Sequence, residues 1–174
     1  MLGVQLKKIE LTEAEVAEAS RELAQAIRND NRLVISYTLP LWFVCKNCSE
    51  SAVLSGQGAD ELFAGYAKYN NCTNLEATLK DDAMRLRDKG ILVDRAVAAK
   101  FGKELITPYL DSAVFDFALK LSIGRKIADG KNKIILREVA ELMGLEEIAQ
   151  RPKKAAQYGS GISKVLSKWT TDRK

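Results

Sequence analysis

The chain has 174 residues, 47% of them hydrophobic, which suffices for one packed domain. Lys and Arg exceed Asp and Glu by 27 to 23, and this thin excess, spread along the chain except near its C-terminal end, gives no ground for a nucleic-acid interface. Histidine is absent, which excludes Ser-His-Asp and Cys-His nucleophiles and His-rich zinc sites and leaves chemistry to carboxylates, lysines, hydroxyls and backbone amides.

No apolar run approaches the roughly 18 residues of a spanning helix, and no charged-then-apolar signal segment opens the chain. The expectation is a cytoplasmic protein with no membrane partner. The three cysteines, Cys45, Cys48 and Cys72, are an odd number and read as free thiols.

In chain order, Val4 to Leu11 alternates loosely and predicts a strand. Thr12 to Glu15 reads as a capping box, opening a helix whose apolar face is Val16, Leu23 and Ile27. Leu33 to Val44 is apolar and aromatic, and Pro40 predicts a buried turn followed by a short helix through Cys48. On that helix Cys45 and Cys48, with Trp42, are expected to face the core rather than a metal. Ala52-Val53-Leu54 is a short apolar run ending in Ser55-Gly56-Gln57-Gly58, the pattern of a buried strand delivering a glycine-rich loop. Helical spacing then dominates over 75–86, 93–100, 113–121, 134–143 and 162–169, and Gly130-Lys131-Asn132 reads as a loop between helices. Residues 1–174 are taken as one unit with little sheet and much helix.

The segment Leu54-Ser55-Gly56-Gln57-Gly58-Ala59-Asp60-Glu61-Leu62-Phe63-Ala64-Gly65-Tyr66 is the most informative. Two glycines after a strand let backbone approach a ligand, and open α/β sheets bind ligands at such strand ends. Asp60 and Glu61 have a plain alternative role, complementing a helix dipole. The segment resembles the Ser-Gly-Glu-Gly-(Ser/Ala)-Asp-Glu-(Leu/Val)-Phe-Gly-Gly-Tyr signature of asparagine synthetase synthetase domains. Two further segments resemble that family in the same order. Gly102 to Asp111 is similar to Gly-x-Glu-x-Arg-x-Pro-Phe-Leu-Asp, and Lys133-Ile134-Ile135-Leu136-Arg137 with Ala149 to Gly161 is similar to the Lys-x-x-Leu-Arg helix and Arg-x-Lys loop. The likeness runs from about residue 33 to about residue 163, and its last loop looks most like asparagine synthetase domain-containing proteins.

What the resemblance implies is an α/β fold of the adenine-nucleotide α-hydrolase-like, Rossmann-like kind, with a parallel sheet and a predominantly helical C-terminal part. The family reaction consumes ATP with Mg2+ to adenylate a carboxylate, after which an amine displaces AMP. By carry-over, Ser55, Gly56, Gln57 and Gly58 line the nucleotide, Asp60 ligates magnesium, and Lys153 binds phosphate and acts as catalytic lysine. Glu104 stands at a family carboxylate as the acid-base candidate, while Asp111 is read as a helix cap.

The sequence also departs from the family. The Ser-Gly-Gly-x-Asp-Ser phosphate loop and the glutaminase domain are missing, so the expectation is a synthetase domain truncated at its N-terminal side. A companion chain or a longer precursor would supply the loop, and a partner chain the ammonia. The signature glutamate is Gln57, whose amide cannot serve as a general base, and the family arginine before Pro108 is Ile106. The alternative reading is a catalytically silent interaction module of the same fold, pairing through an exposed sheet edge.

Overall fold

The computed structural model describes residues 5–152 and 155–168. In chain order its elements are α1 (Glu13–Ile27), α2 (Arg32–Asn47), β1 (Ala52–Leu54), α3 (Ala59–Leu62), α4 (Leu75–Arg85), α5 (Ile91–Lys100), β2 (Glu104–Ile106), α6 (Ser112–Lys120), β3 (Ile127–Ala128), β4 (Lys131–Asn132), α7 (Ile134–Leu142), α8 (Glu146–Ala149), α9 (Ala156–Gly159) and α10 (Ile162–Lys168). Among the described residues the fold is mixed α/β, mostly helical, with two small sheets. Among the described residues no helix is long and apolar enough to cross a membrane.

The chain forms two compact units. One draws on Met1–Ser51, Ala96–Lys103 and Lys154–Lys174, and the other on Ala52–Arg95 and Glu104–Lys153.

The first unit starts from the capping box. The Thr12 hydroxyl accepts from the Glu15 amide at 3.2 Å, and the Glu15 carboxylate accepts from the Thr12 amide at 2.8 Å, satisfying two orphan donors at once. Val16, Ala19 and Leu23 then fall on one helical face and pack with Ile35, Leu39, Trp42 and Phe43 of α2, Val97, and Ile162 and Leu166 of α10. Trp42 is fully buried, with the Phe101 ring edge-on at 4.9 Å. Cys45 is buried and Cys48 half-buried, and neither is in a disulfide. The Lys103 ammonium donates to the carbonyls of Cys48 at 3.0 Å and Glu50 at 2.6 Å, pinning the chain beyond α2.

Two expectations fail in this unit. Pro40 does not divide the segment, because α2 runs unbroken from Arg32 to Asn47 with the proline inside it. Losing the proline's helical hydrogen bond costs about 3 kcal/mol. Leu39, Trp42 and Phe43 flank it on the buried face, and at about 1.5–3 kcal/mol for each buried side chain they outweigh that cost. Nor do residues 5–12 form a strand. Alternation alone does not make one, since the backbone groups need a neighbouring ladder, and Leu6 lies in the open.

In the second unit, β1 and β2 pair in parallel with Ala52 opposite Glu104, Val53 opposite Leu105 and Leu54 opposite Ile106. Leu62, Phe63, Ala83, Phe115 and Ala118 form its main core, beside a smaller cluster of Ala64, Tyr69 and Leu79. Asp111 caps α6, its carboxylate accepting from the Ala113 amide at 2.9 Å, as the cap reading requires. Residues 130–132, expected as a plain loop, belong instead to an antiparallel hairpin in which Ile127 pairs with Asn132 and Ala128 with Lys131. Gly130, at φ +72, makes that turn possible.

Two substitutions test this arrangement by urea unfolding. Leu23→Ala should lose about 2–5 kcal/mol, as expected for a buried leucine, and Thr12→Ala about 1 kcal/mol, as expected for a lost cap.

Candidate functional site

The site begins where β1 ends. The Ser55 amide donates to the Ile106 carbonyl at 2.8 Å, extending the parallel ladder by one bond, and the Ser55 hydroxyl then accepts from the Gln57 amide at 3.3 Å to turn the chain. A side chain built at Gly56 would meet no atom within 4 Å, so this stretch of backbone is open. Gly58 is the opposite case: it has φ +96, and a Cβ there would lie 2.7 Å from Leu110 Cδ2. It is a glycine for both conformation and space.

Asp60 follows on α3 and forms an ion pair with Lys133, Nζ to Oδ1 at 2.9 Å, both side chains about one-quarter exposed. A Cβ at Gly65 would fall 1.9 Å from Asp60 Oδ1 and 2.4 Å from Lys133 Cε. The pair therefore occupies the space that a side chain at position 65 would fill. The surrounding backbone is stitched together on the same scale. The Gly65 amide donates to the Asp60 carbonyl at 2.7 Å, the Lys133 amide to the Phe63 carbonyl at 3.2 Å, and the Asn132 side-chain amide to the Ala64 carbonyl. Lys133 itself sits at φ +61, a conformation that bulky L-residues rarely hold without such ties.

Four residues on, Arg137 donates to the carbonyls of Asn132 at 2.8 Å, of Ala149, and of Arg151 at 3.2 Å. The two cations of the Lys-x-x-Leu-Arg segment thus divide the work: Lys133 reaches the signature loop, and Arg137 holds the chain leading toward Lys153. Lys153, the expected catalytic lysine, lies outside the described residues.

Gln57 donates its side-chain amide to Asp94 Oδ2 at 2.7 Å. Asp94 is almost wholly buried, and that burial pushes its carboxyl above the usual range, a rise that the Gln57 bond opposes. The amide at the position of the family glutamate is committed to a carboxylate inside the protein. Glu104 pairs in register with Ala52, three residues before Ser55, and its side chain is exposed.

Next to Asp60, Glu61 is buried and accepts from the Tyr66 hydroxyl at 2.8 Å; burial pushes its carboxyl up. Asp82 accepts from Lys68 at 2.5 Å and from Tyr69 at 2.8 Å, and although partial burial works against the charge, these bonds hold the carboxyl below its ordinary value. Glu61, Tyr66, Lys68 and Asp82 line a cleft of about 200 Å³ with Arg85, Leu86 and Gly90.

The geometry joins Ser55, Gly56, Gln57, Gly58 and Asp60 in one loop, as their adjacency in sequence requires, and adds Lys133 and Asp94. Both additions stand in segments that sequence reading singled out, but neither carried a role there. What was missing was their partner, which lies 73 residues away for Lys133 and 37 for Asp94.

Comparison with known proteins agrees with this frame. The asparagine synthase family description matches residues 1–96 and 76–173, and the chain belongs to that family. A putative asparagine synthetase [glutamine-hydrolyzing] 1 of Methanocaldococcus jannaschii is 31% identical over 208 residues, which cover 96% of this chain and 38% of the relative. Asparagine synthetase domain-containing protein 1 of Gallus gallus is 34% identical over 126 residues, covering 66% of this chain and 20% of the relative. The asparagine synthetase [glutamine-hydrolyzing] of Homo sapiens is 32% identical over 134 residues, covering 73% and 23%. The chain thus matches well under half the length of each of these relatives.

Gly65→Ala should cost roughly 1–3 kcal/mol in urea unfolding, as overpacking does. Part of that loss should be recovered in an Asp60→Ser background, because the two positions compete for one space. Gln57→Glu tests the other pair. In the wild type, a raised Asp94 pKa means that the folded state keeps a proton the unfolded chain gives up. Stability therefore falls as pH rises from the ordinary aspartate range through the raised value, then levels off. A second carboxylate at position 57 should carry that fall to higher pH. Unfolding curves should show a small difference from wild type near about pH 4.5 and a loss of about 1–3 kcal/mol near about pH 8.

Proposed function

We propose that this chain provides the nucleotide-binding part of an ATP-dependent, carboxylate-adenylating and amide-forming ligase of the asparagine synthetase kind. The single observation that supports it most is the Asp60–Lys133 pair, set beside the open Ser55–Gly58 loop at the carboxyl end of a parallel strand. In this reading β1 and β2 belong to a Rossmann-like, α-hydrolase-type sheet, and the ligands are ATP and a small carboxylate.

In the proposed reaction, a carboxylate oxygen of the substrate attacks the α-phosphorus of ATP, the bond to the bridging oxygen of the β-phosphate breaks, and pyrophosphate leaves. An amine then attacks the acyl carbon and AMP departs. The Lys133 ammonium supplies fixed positive charge for the phosphates as negative charge grows on the leaving group. Its tether to Asp60 and the Phe63 carbonyl sets its position in advance. Lys153 would bring a second ammonium.

The fit to magnesium rests on one carboxylate. Among the described residues no three carboxylates or thiols come together as a metal cluster, so Asp60 would hold the ion jointly with phosphate oxygens and water, a usual arrangement for Mg2+. When bound, the ion would neutralise phosphate charge. Gln57 is read as a positioning residue that orients Asp94 and so shapes the wall of the amine or carboxylate site.

The test is calorimetric titration with ATP and magnesium of the wild-type chain and of Asp60→Ala, Lys133→Ala and Lys153→Ala. Removing one charge-assisted contact of about 1.5–3 kcal/mol should weaken binding by roughly tenfold or more in each variant. Equal binding by all four proteins, or none by the wild type, would overturn the proposal.

A further inference from the structure

Helix α7 has an apolar stripe that is used at one end and bare at the other. Ile135 and Leu136, in its first turns, pack against the core around Phe63 and Phe115. Val139 and Leu142 continue the line from Ile135 at helical spacing, and Met143 follows. There the cover ends. Leu142 is 88% and Met143 69% exposed, Val139 is nearly half exposed, and no residue of α7 is fully buried. Ile148 on α8, which packs with α7, adds another exposed apolar side chain. Isolated exposed leucines need no explanation, but Val139, Leu142 and Met143 with Ile148 form an exposed apolar group on adjoining helices, and such a group marks an interaction surface.

The charge around the stripe indicates what it meets. Residues 134–150 carry four acidic side chains and one basic one, net −3, in a chain whose net charge is +4. Glu138 is paired with Arg125 at 2.6 Å, whereas Glu141, Glu146 and Glu147 lie exposed beside the stripe. The one basic residue, Arg137, is turned onto the carbonyls of Asn132, Ala149 and Arg151 and adds no cation to the rim. Lys133, just before the segment, is paired with Asp60, and Arg125 is taken up by Glu138, while Lys131 and Arg151 stand at the segment's edges.

We infer that the α7–α8 face docks an amphipathic helix of a partner protein, one whose apolar stripe is flanked by lysines or arginines. The narrow apolar line of Val139, Leu142 and Met143, with Ile148 beside it, matches the ridge of one helix lying along another, as in helix-in-groove recognition. Self-pairing through the same face would set two acidic rims against each other, which argues against a second copy. Membrane surfaces carry negative charge and are disfavoured for the same reason.

The test is fluorescence anisotropy with a labelled peptide of about 18 residues, made of leucine and lysine at amphipathic helical spacing. Its controls are the same composition with scrambled spacing, and a version with glutamate for lysine. The full chain should bind the spaced basic peptide at least tenfold more tightly than either control. Leu142→Ser with Met143→Ser should reduce that binding about tenfold or more, and so should Glu141→Lys with Glu146→Lys and Glu147→Lys. All five positions are exposed, and unfolding curves confirm that the variants stay folded. The charge-reversed protein should gain affinity for the glutamate peptide, which a merely misfolded surface would not. Undiminished binding by both variants, or equal binding of the scrambled peptide, overturns the inference. Self-association of the wild type that disappears in the Leu142→Ser, Met143→Ser variant would assign the face to a second copy and overturn it as well.

Discussion

The contact between Asp60 and Lys133 ties the signature loop to the hairpin and helix that follow Ile127. It exists because Gly65 has no side chain: a single added carbon would fall 1.9 Å from the carboxylate oxygen, far inside van der Waals contact. Around it the chain accepts left-handed backbone at Ala64 and at Lys133, and repeated hydrogen bonds from Asn132 and Lys133 to the Phe63–Ala64 carbonyls hold those conformations. The lysine is thus placed by its backbone before any ligand arrives. Such preorganisation is what the electrostatic role proposed for this lysine requires.

A second contact, from Gln57 to the buried Asp94, bears on the same loop. Gln57 satisfies an aspartate that is taken almost entirely out of water, and an unpartnered carboxylate there would carry a large desolvation cost. An amide at this position meets that need without adding charge. A glutamate would meet it only when one of the two acids holds a proton. The departure from the family signature at Gln57 is therefore matched to Asp94, and acid-base work at this point would have to come from the aspartate or from another group.

Much of the local structure was legible in the sequence. The Thr12–Glu15 capping box, the Asp111 cap and the spacing of α4, α6, α7 and α10 all follow from side chains that act on backbone within a few residues of themselves, whereas β1, expected as a buried strand, is ordered by its ladder with β2 and buries only Val53, leaving Leu54 exposed. Two local rules misled. Pro40 ordinarily ends a helix, yet the burial of Leu39, Trp42 and Phe43 keeps α2 continuous, and the alternation over Val4 to Leu11 yields no strand among the described residues because no ladder meets it. In both cases a long-range term outweighed a short-range preference.

The sequence by itself determined the family motifs, their order, and the residues of the Ser55–Asp60 loop, because a loop's members are neighbours along the chain. Only the tertiary structure decided what that loop touches. It brought Lys133 to Asp60 and Asp94 to Gln57, set Glu104 back beside Ala52, and left the far end of the α7 stripe uncovered. The physical reason is the same for each. Contacts between residues far apart in the chain depend on how elements pack, and one sequence read residue by residue contains the side chains of such pairs but not the distances between them.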